Sequence, residues 1–306
     1  MQKGKAVTRR VCCVGEVMIE LSNALGGTPQ LGVAGDTYNT AVYLGRLLRG
    51  SPIEISYVTA LGKDPYSSKI EHALKDHGLD VSLVETRPDL MPGLYAIDTD
   101  EFGERSFSYW RSNSAARSLF SEPCSVSPSD MLGADLIYLS GITMAILPSK
   151  VRQRLIDFIA EFRSRGGVFA YDSNYRPRLW ESRGIAQDIN EQMWRAADIA
   201  LPSVDDEMGL FGDRDEAAVL ARLSRFGVSQ GALKRGAEGP LDLSGVASPQ
   251  DLQAVSKVVD STAAGDSFNA GYLAAYLKGE TTQIALETGH NLAAKVISAR
   301  GAIIPE

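Results

Sequence analysis

Short apolar runs recur along the chain, each broken by turn residues and followed by a stretch whose apolar positions fall three and four apart. Such runs read as buried strands and the stretches between them as amphipathic helices. Strands are expected at Arg10–Leu21, Ile53–Leu61, Val81–Val84, Ala134–Ser140, Gly167–Tyr171, Asp198–Leu201 and Val228–Leu233. Helices are expected after Gly35, over Ser67–His77, from Pro148 to Phe162, over Ile185–Ala197, after Ser203 and over Thr282–Ala299. Alternation of this kind predicts an α/β fold with a mostly parallel sheet covered on both sides. No internal repeat or low-complexity linker divides the chain, so residues 1–306 are expected to form one domain.

Two segments depart from that pattern. Val11–Val14 is continuously apolar, whereas Val17, Ile19 and Leu21 alternate with Met18 and Glu20. A strand that changes from buried on both faces to half-exposed is leaving the central sheet for another layer. A Gly26-Gly27 turn follows it. From Gly93 to Arg111 the period is two on either side of D-E-F-G-E, which predicts an antiparallel hairpin. These segments, about 16–34 and 93–112, are expected to build a small β layer of their own.

Composition narrows the partners. A formal charge of -7 argues against a general affinity for nucleic acid or anionic membranes. Glu16 and Glu20 interrupt the apolar run near the start, and no stretch reaches the length of a membrane span. Cys12 and Cys13 are neighbours in a strand and so point to opposite faces, while Cys124 is isolated. Neither a disulfide nor a metal-ligand spacing is expected, and the compartment is read as reducing and cytoplasmic.

The chemistry concentrates in V-V-D-S-T-A-A-G-D-S-F-N-A, Val258 to Ala270. A strand containing Val255, Val258 and Val259 is expected to feed a tight turn and then a helix start. Unpaired amides and the helix dipole favour an anion there, and the small side chains of Ala263, Ala264 and Gly265 let a phosphate approach the backbone. Asp266 is the wrong charge to bind that phosphate. It suits a general base that takes a proton from an attacking hydroxyl, or else it is simply a first-turn acid.

Other stretches carry similar pairs of readings. Gly35, Asp36 and Asn39 surround a turn that either caps a helix or presents polar groups to a ligand. Tyr109 and Arg111 share a strand face, and Tyr95 shares it in one register of the hairpin. Two aromatics beside a guanidinium suit an oxygen-rich anionic small molecule, and an ordinary exposed hairpin face is the alternative. Asp172, Asn174 and Arg176 follow a strand, where open α/β sheets bind ligands. Lys234, Gly236 and Gly239 also follow a strand and read as a nucleotide loop or as a charged surface turn.

D-S-T-A-A-G-D-S-F resembles the D-T-x-G-A-G-D-x-F signature of the ribokinase-like (PfkB) carbohydrate kinases, with Ala263 in place of a glycine. G-D-T-Y-N-T-A resembles their first signature, with Ala34 in place of its first glycine, and D-S-N-Y-R resembles their D-x-N-x-R segment. Y-W-R-S-N-S-A-A-R is similar to the 2-keto-3-deoxygluconate kinases of the family. The features occur in family order over nearly the whole chain.

The resemblance implies a three-layer α/β/α fold with a β lid, ATP and Mg²⁺ as cofactors, and phosphorylation of the terminal hydroxyl of a sugar acid. Asp266 becomes the base and Ala263, Ala264 and Gly265 the anion hole. Gly35, Asp36, Asn39, Tyr95, Tyr109, Arg111 and Arg176 fall to the substrate, and Asn174, Lys234, Gly236, Gly239 and Asn291 to the nucleotide. Glu207 matches the acid of the family's N-x-x-E, a magnesium motif, although Val204 replaces its asparagine. The expected partners are the sugar acid and ATP, with self-association into a homo-oligomer. A fructokinase-like kinase and a non-catalytic sugar-acid-binding regulator are the alternatives.

Overall fold

A computed structural model describes residues 9–23, 28–99, 105–255 and 257–306. Strand β1 (Arg9–Val14) ends at Gly15, and the chain resumes as β2 (Met18–Asn23), β3 (Gln30–Ala34) and helix α1 (Asp36–Leu47). β4 (Ile53–Leu61), α2 (Pro65–Asp76), β5 (Val84–Thr86), β6 (Leu94–Thr99) and β7 (Arg105–Trp110) follow. Next come β8 (Leu136–Ser140), α3 (Gly141–Ile146), α4 (Ser149–Ser164), β9 (Val168–Asp172), α5 (Arg183–Ala196) and β10 (Ile199–Ala200). The last third holds α6 (Val204–Phe211), α7 (Glu216–Arg225), the short pair β11 (Ala232–Leu233) and β12 (Leu241–Asp242), α8 (Ala264–Leu277) and α9 (Thr282–Ile297).

Six strands form a parallel sheet in the order β10-β9-β8-β1-β4-β5. Successive side chains of β1 feed opposite cores. Cys12 and Val14 join α4, α5 and α7 on one face, while Val11 and Cys13 join α1, α2, α8 and α9 on the other. The expected three layers are therefore present, and all three cysteines are free thiols. Helices α8 and α9 pack closely enough that a Cβ on Gly271 would lie 2.7 Å from the Gly289 Cα. This contact fixes the axis of α8, whose first turn carries Asp266.

Four strands form the smaller sheet, in the order β3-β2-β6-β7. The Arg10–Leu21 run is thus two strands in two sheets, parting where its hydrophobic pattern changes. Register places Glu20 beside Tyr95 and Tyr95 opposite Tyr109, so these three share one face. The Gly26-Gly27 turn and the tip D-E-F-G-E fall largely or wholly outside the described residues.

Some boundaries differ from expectation. The strand placed at Val81–Val84 lies at Val84–Thr86, because Asp80 spends its side chain on Ser82 and Ser56 and shapes a turn. The Val228 strand shortens to Ala232–Leu233. Among the described residues, Val255, Val258 and Val259 lie in no strand. Val258 is 57% and Val259 41% exposed, and the Val259 and Asp260 amides both donate to the Ile297 carbonyl at the end of α9. A β-branched run with no neighbouring strand to pair with stays irregular. Among the described residues no helix is long and apolar enough to cross a membrane.

Candidate active site

The chain leaves β1 for β4 and β5 on one side and returns to β8, β9 and β10 on the other. The strand order reverses between β1 and β8, and their carboxyl ends open a crevice of the kind where α/β sheets bind ligands. Ser140 ends β8 and Asp172 ends β9, while the N-termini of α1 and α8 point into the same region. Gly35 is required at the start of α1, since a Cβ there would sit 2.4 Å from the Glu16 carbonyl oxygen.

Asp266 stands in the first turn of α8 and accepts a hydrogen bond from Asn39 Nδ2 at 2.8 Å. Asn39 Oδ1 in turn accepts from the Gly35 amide at 3.4 Å. Thr40 Oγ1 ties the two helix starts together through the Asp36 and Asp266 carbonyls, at 3.1 and 3.2 Å. Asp36 accepts from Ser140 Oγ and, at 3.0 Å, from Asn174 Nδ2. Burial first, then the negative charges of Asp36 and Asp172, push the Asp266 carboxyl up to about 8, against the pull of Asn39 and Lys234. A carboxylate poised near neutrality is what a general base requires.

Asp172 is almost wholly buried and accepts from Lys234 Nζ and Asn269 Nδ2, each at 2.6 Å. Asn269 is one turn beyond Asp266 on α8; its Oδ1 accepts from Lys234 at 3.1 Å and its Nδ2 donates to Tyr138. Lys234 Nζ lies 3.5 Å from the position a Cβ would take on Gly265, directly beside the helix start. The first-turn amides there have no helical acceptor. The Ala264 amide donates to the Ser261 carbonyl at 3.2 Å, which leaves the Gly265 amide, small residues and an ammonium to form a cradle that fits a phosphoryl group.

The cradle turns on Ala263, the N-cap of α8, at φ 61° and ψ 18°. The left-handed region costs an alanine roughly 1–2 kcal/mol, a cost glycine avoids. Asp260 holds the turn from below by accepting from the Thr262 and Gly301 amides at 3.0 and 2.7 Å.

The smaller sheet closes one side. Met18, Ala34, Tyr95 and Ile97 pack with Ala302 and against Ala263, which brings that face to the start of α8. The Tyr95 hydroxyl donates to Glu20, and the Tyr95 and Tyr109 rings stack with centroids 5.8 Å apart. Arg111 is buried and ion-paired with Glu16, which is 1% exposed. Arg111 Nε and Glu16 Oε1 have no hydrogen-bond partner among the described residues, so this pair retains unused polar capacity.

Other expected residues lie at the margins. Arg176 is half exposed and reaches Asp206 at 3.3 Å. Gly236 and Gly239 shape the turn after β11, both at positive φ. Asn291 spends its amide on the backbone of Gln253 and Asp251, so it orders that loop. Glu207 is fully buried; Arg222 holds its Oε2 at 2.9 Å, while its Oε1 has no hydrogen-bond partner among the described residues. No group of three or more His, Cys, Asp or Glu suited to a metal occurs among the described residues.

Ser140, Asn269, Tyr138, Glu16 and Glu20 complete the site without having been singled out from sequence as ligand-binding. Asn269 had a usable signal, its three-residue spacing from Asp266 on a helix. Glu16 and Glu20 had one too, as acids inside an apolar run.

Residues 8–306 match the family described as pfkB family carbohydrate kinase. The chain is 41% identical to 2-dehydro-3-deoxygluconokinase of Escherichia coli K12 over 309 aligned residues, covering 98% of each chain. It is 41% identical to the enzyme of that name from Dickeya dadantii, covering 97% of each. The solved 2-dehydro-3-deoxygluconokinase of Thermotoga maritima superimposes with a TM-score of 0.78 at 18% identity, over 97% of this chain and 94% of that one. With its signatures, its six-stranded and four-stranded sheets and the carboxylate at the head of α8 all in agreement, the chain belongs to the PfkB family of carbohydrate kinases.

Proposed function

We propose that the protein transfers the γ-phosphoryl group of ATP to the terminal hydroxyl of 2-dehydro-3-deoxygluconate, the compound also called 2-keto-3-deoxygluconate. The observation that carries this reading is the placement of Asp266, a carboxylate of raised pKa at a helix start whose amides face the same crevice. ATP supplies the phosphoryl group when bound, with Mg²⁺ offsetting the charge between its phosphates. Asp266 takes the hydroxyl proton as the sugar oxygen bonds to phosphorus. The turn at Ala263, Ala264 and Gly265 holds the charge developing on the phosphoryl oxygens. Glu20, Tyr95 and Tyr109 line the sugar side, and Arg111 and Arg176 answer the acid or the transferred group. Packing of the small sheet on Ala263 supports its role as a lid that excludes water.

The test is an ADP-release assay over 2-dehydro-3-deoxygluconate, its galactonate counterpart, fructose and ribose, with Asp266→Asn as control. The reading expects turnover on the deoxy sugar acids and little on the neutral sugars. Preference for fructose would overturn the substrate assignment, and binding of the acid without ADP release would make the protein a sensor.

A further inference from the structure

Three carboxylates, Asp36, Asp172 and Asp266, converge on a crevice that must admit a highly charged phosphate chain. The cation facing them is Lys234, at the end of β11. It is mostly buried, and its ammonium is gripped by Asp172 at 2.6 Å and by Asn269 at 3.1 Å. Asn269 belongs to the same helix as Asp266, so the base and the ammonium are indexed to one rigid element.

The ammonium's position matters more than its pairing. Its Nζ lies 3.5 Å from the point a Cβ would occupy on Gly265, at the mouth of the amide cradle rather than out along the turn with Gly236 and Gly239. An oxygen seated on the first-turn amides would touch it while Asp172 still holds it. Three ammonium protons serve Asp172, Asn269 and one further acceptor.

We propose that Lys234 is a catalytic residue, contacting the transferring phosphoryl group itself rather than the body of the nucleotide. The proposal rests on the kinase reading given above. In the step, the sugar oxygen forms its bond to phosphorus while the bond from phosphorus to the ADP oxygen breaks. The hydroxyl proton goes to Asp266, and Lys234 keeps its protons and offsets the negative charge on the equatorial oxygens. Its positive charge also favours the ionised form of Asp266, against Asp36 and Asp172, which oppose it.

The experiment compares the parent enzyme with Lys234→Met, Lys234→Arg and the double variant Asp172→Asn/Lys234→Met, on whichever sugar the panel shows to be phosphorylated. Lys234→Met is expected to lose about 100- to 1000-fold in kcat, with the KM values for ATP and sugar within about threefold. Inhibition by ADP with aluminium fluoride, which mimics the transferring group, is expected to weaken in parallel, and the acid limb of the kcat/KM profile to move to higher pH. Lys234→Arg is expected to retain more turnover than Lys234→Met. The single methionine variant leaves Asp172 buried without its counter-ion, so the double variant guards against misfolding. It is expected to melt near the parent temperature and still turn over as slowly as Lys234→Met. Recovery of kcat in the double variant would reduce Lys234 to a counter-ion and overturn the proposal. So would a loss confined to the KM for ATP. The kinase reading fails separately, if Asp266→Asn is as active as the parent.

Discussion

Asn39 donates to Asp266 across 2.8 Å, joining two helix starts that lie 227 positions apart in the chain. That one bond sets the direction of the carboxylate and favours its ionised form, in opposition to burial and to Asp36. Removing the donor in Asn39→Ala should raise the Asp266 pKa further. Activity that needs the ionised base appears as pH rises through that pKa. The acid limb of kcat/KM should therefore move to higher pH, by on the order of one unit, as a single charged hydrogen bond is worth. An unchanged pH profile would separate Asn39 from the base.

The same raised pKa has a consequence for stability. The folded protein holds the Asp266 proton up to about pH 8, whereas the unfolded chain releases it near the ordinary value of 3.8. Folding therefore takes up a proton in this window, and stability falls as pH rises through it. Asp266→Asn should melt higher than the parent near pH 8, with the gap closing toward pH 4. Thermal melts across pH read this directly.

Arg111 and Glu16 form a buried pair at the junction of the two sheets. Arg111→Ala strands a buried carboxylate and should cost about 3–5 kcal/mol in stability. A Glu16→Gln/Arg111→Met double variant should regain most of that. Both should raise the KM for a sugar acid by roughly 10- to 100-fold, the worth of a charged hydrogen bond, with little change for a neutral ketose. Recovery of the KM in the double variant would show that Arg111 serves structure alone.

Ala263 occupies a left-handed conformation that the corresponding glycine of the family signature adopts freely. Ala263→Gly should leave the cradle intact and raise stability by about 1 kcal/mol, read by chemical denaturation.

What the sequence made legible was whatever depends on local pattern. The change of period inside Arg10–Leu21 marked the passage from one sheet to the other, and the alternation around 100–104 marked the hairpin. Gly35, Asp36, Asn39, Asn174, Lys234 and Asp266 were each named, and the fold brings them to one crevice. Asp172 was also named, whereas Ser140 and Tyr138 were not legible as its neighbours, because they meet the site only through sheet order and helix packing. Apolar character misled at Val255, Val258 and Val259, which among the described residues pair with no neighbouring strand. Glu207 sat in the right motif position, yet its pairing with Arg222 depends on a helix pair that local pattern does not reveal.

Proton removal by Asp266 is tested most directly by single-turnover kinetics of Asp266→Asn with ATP and 2-dehydro-3-deoxygluconate. The variant keeps the shape and hydrogen bonds of the side chain and loses its basicity. The expected result is a phosphoryl-transfer rate lower by about 100- to 10,000-fold with substrate binding preserved. Transfer at the parental rate would contradict the account.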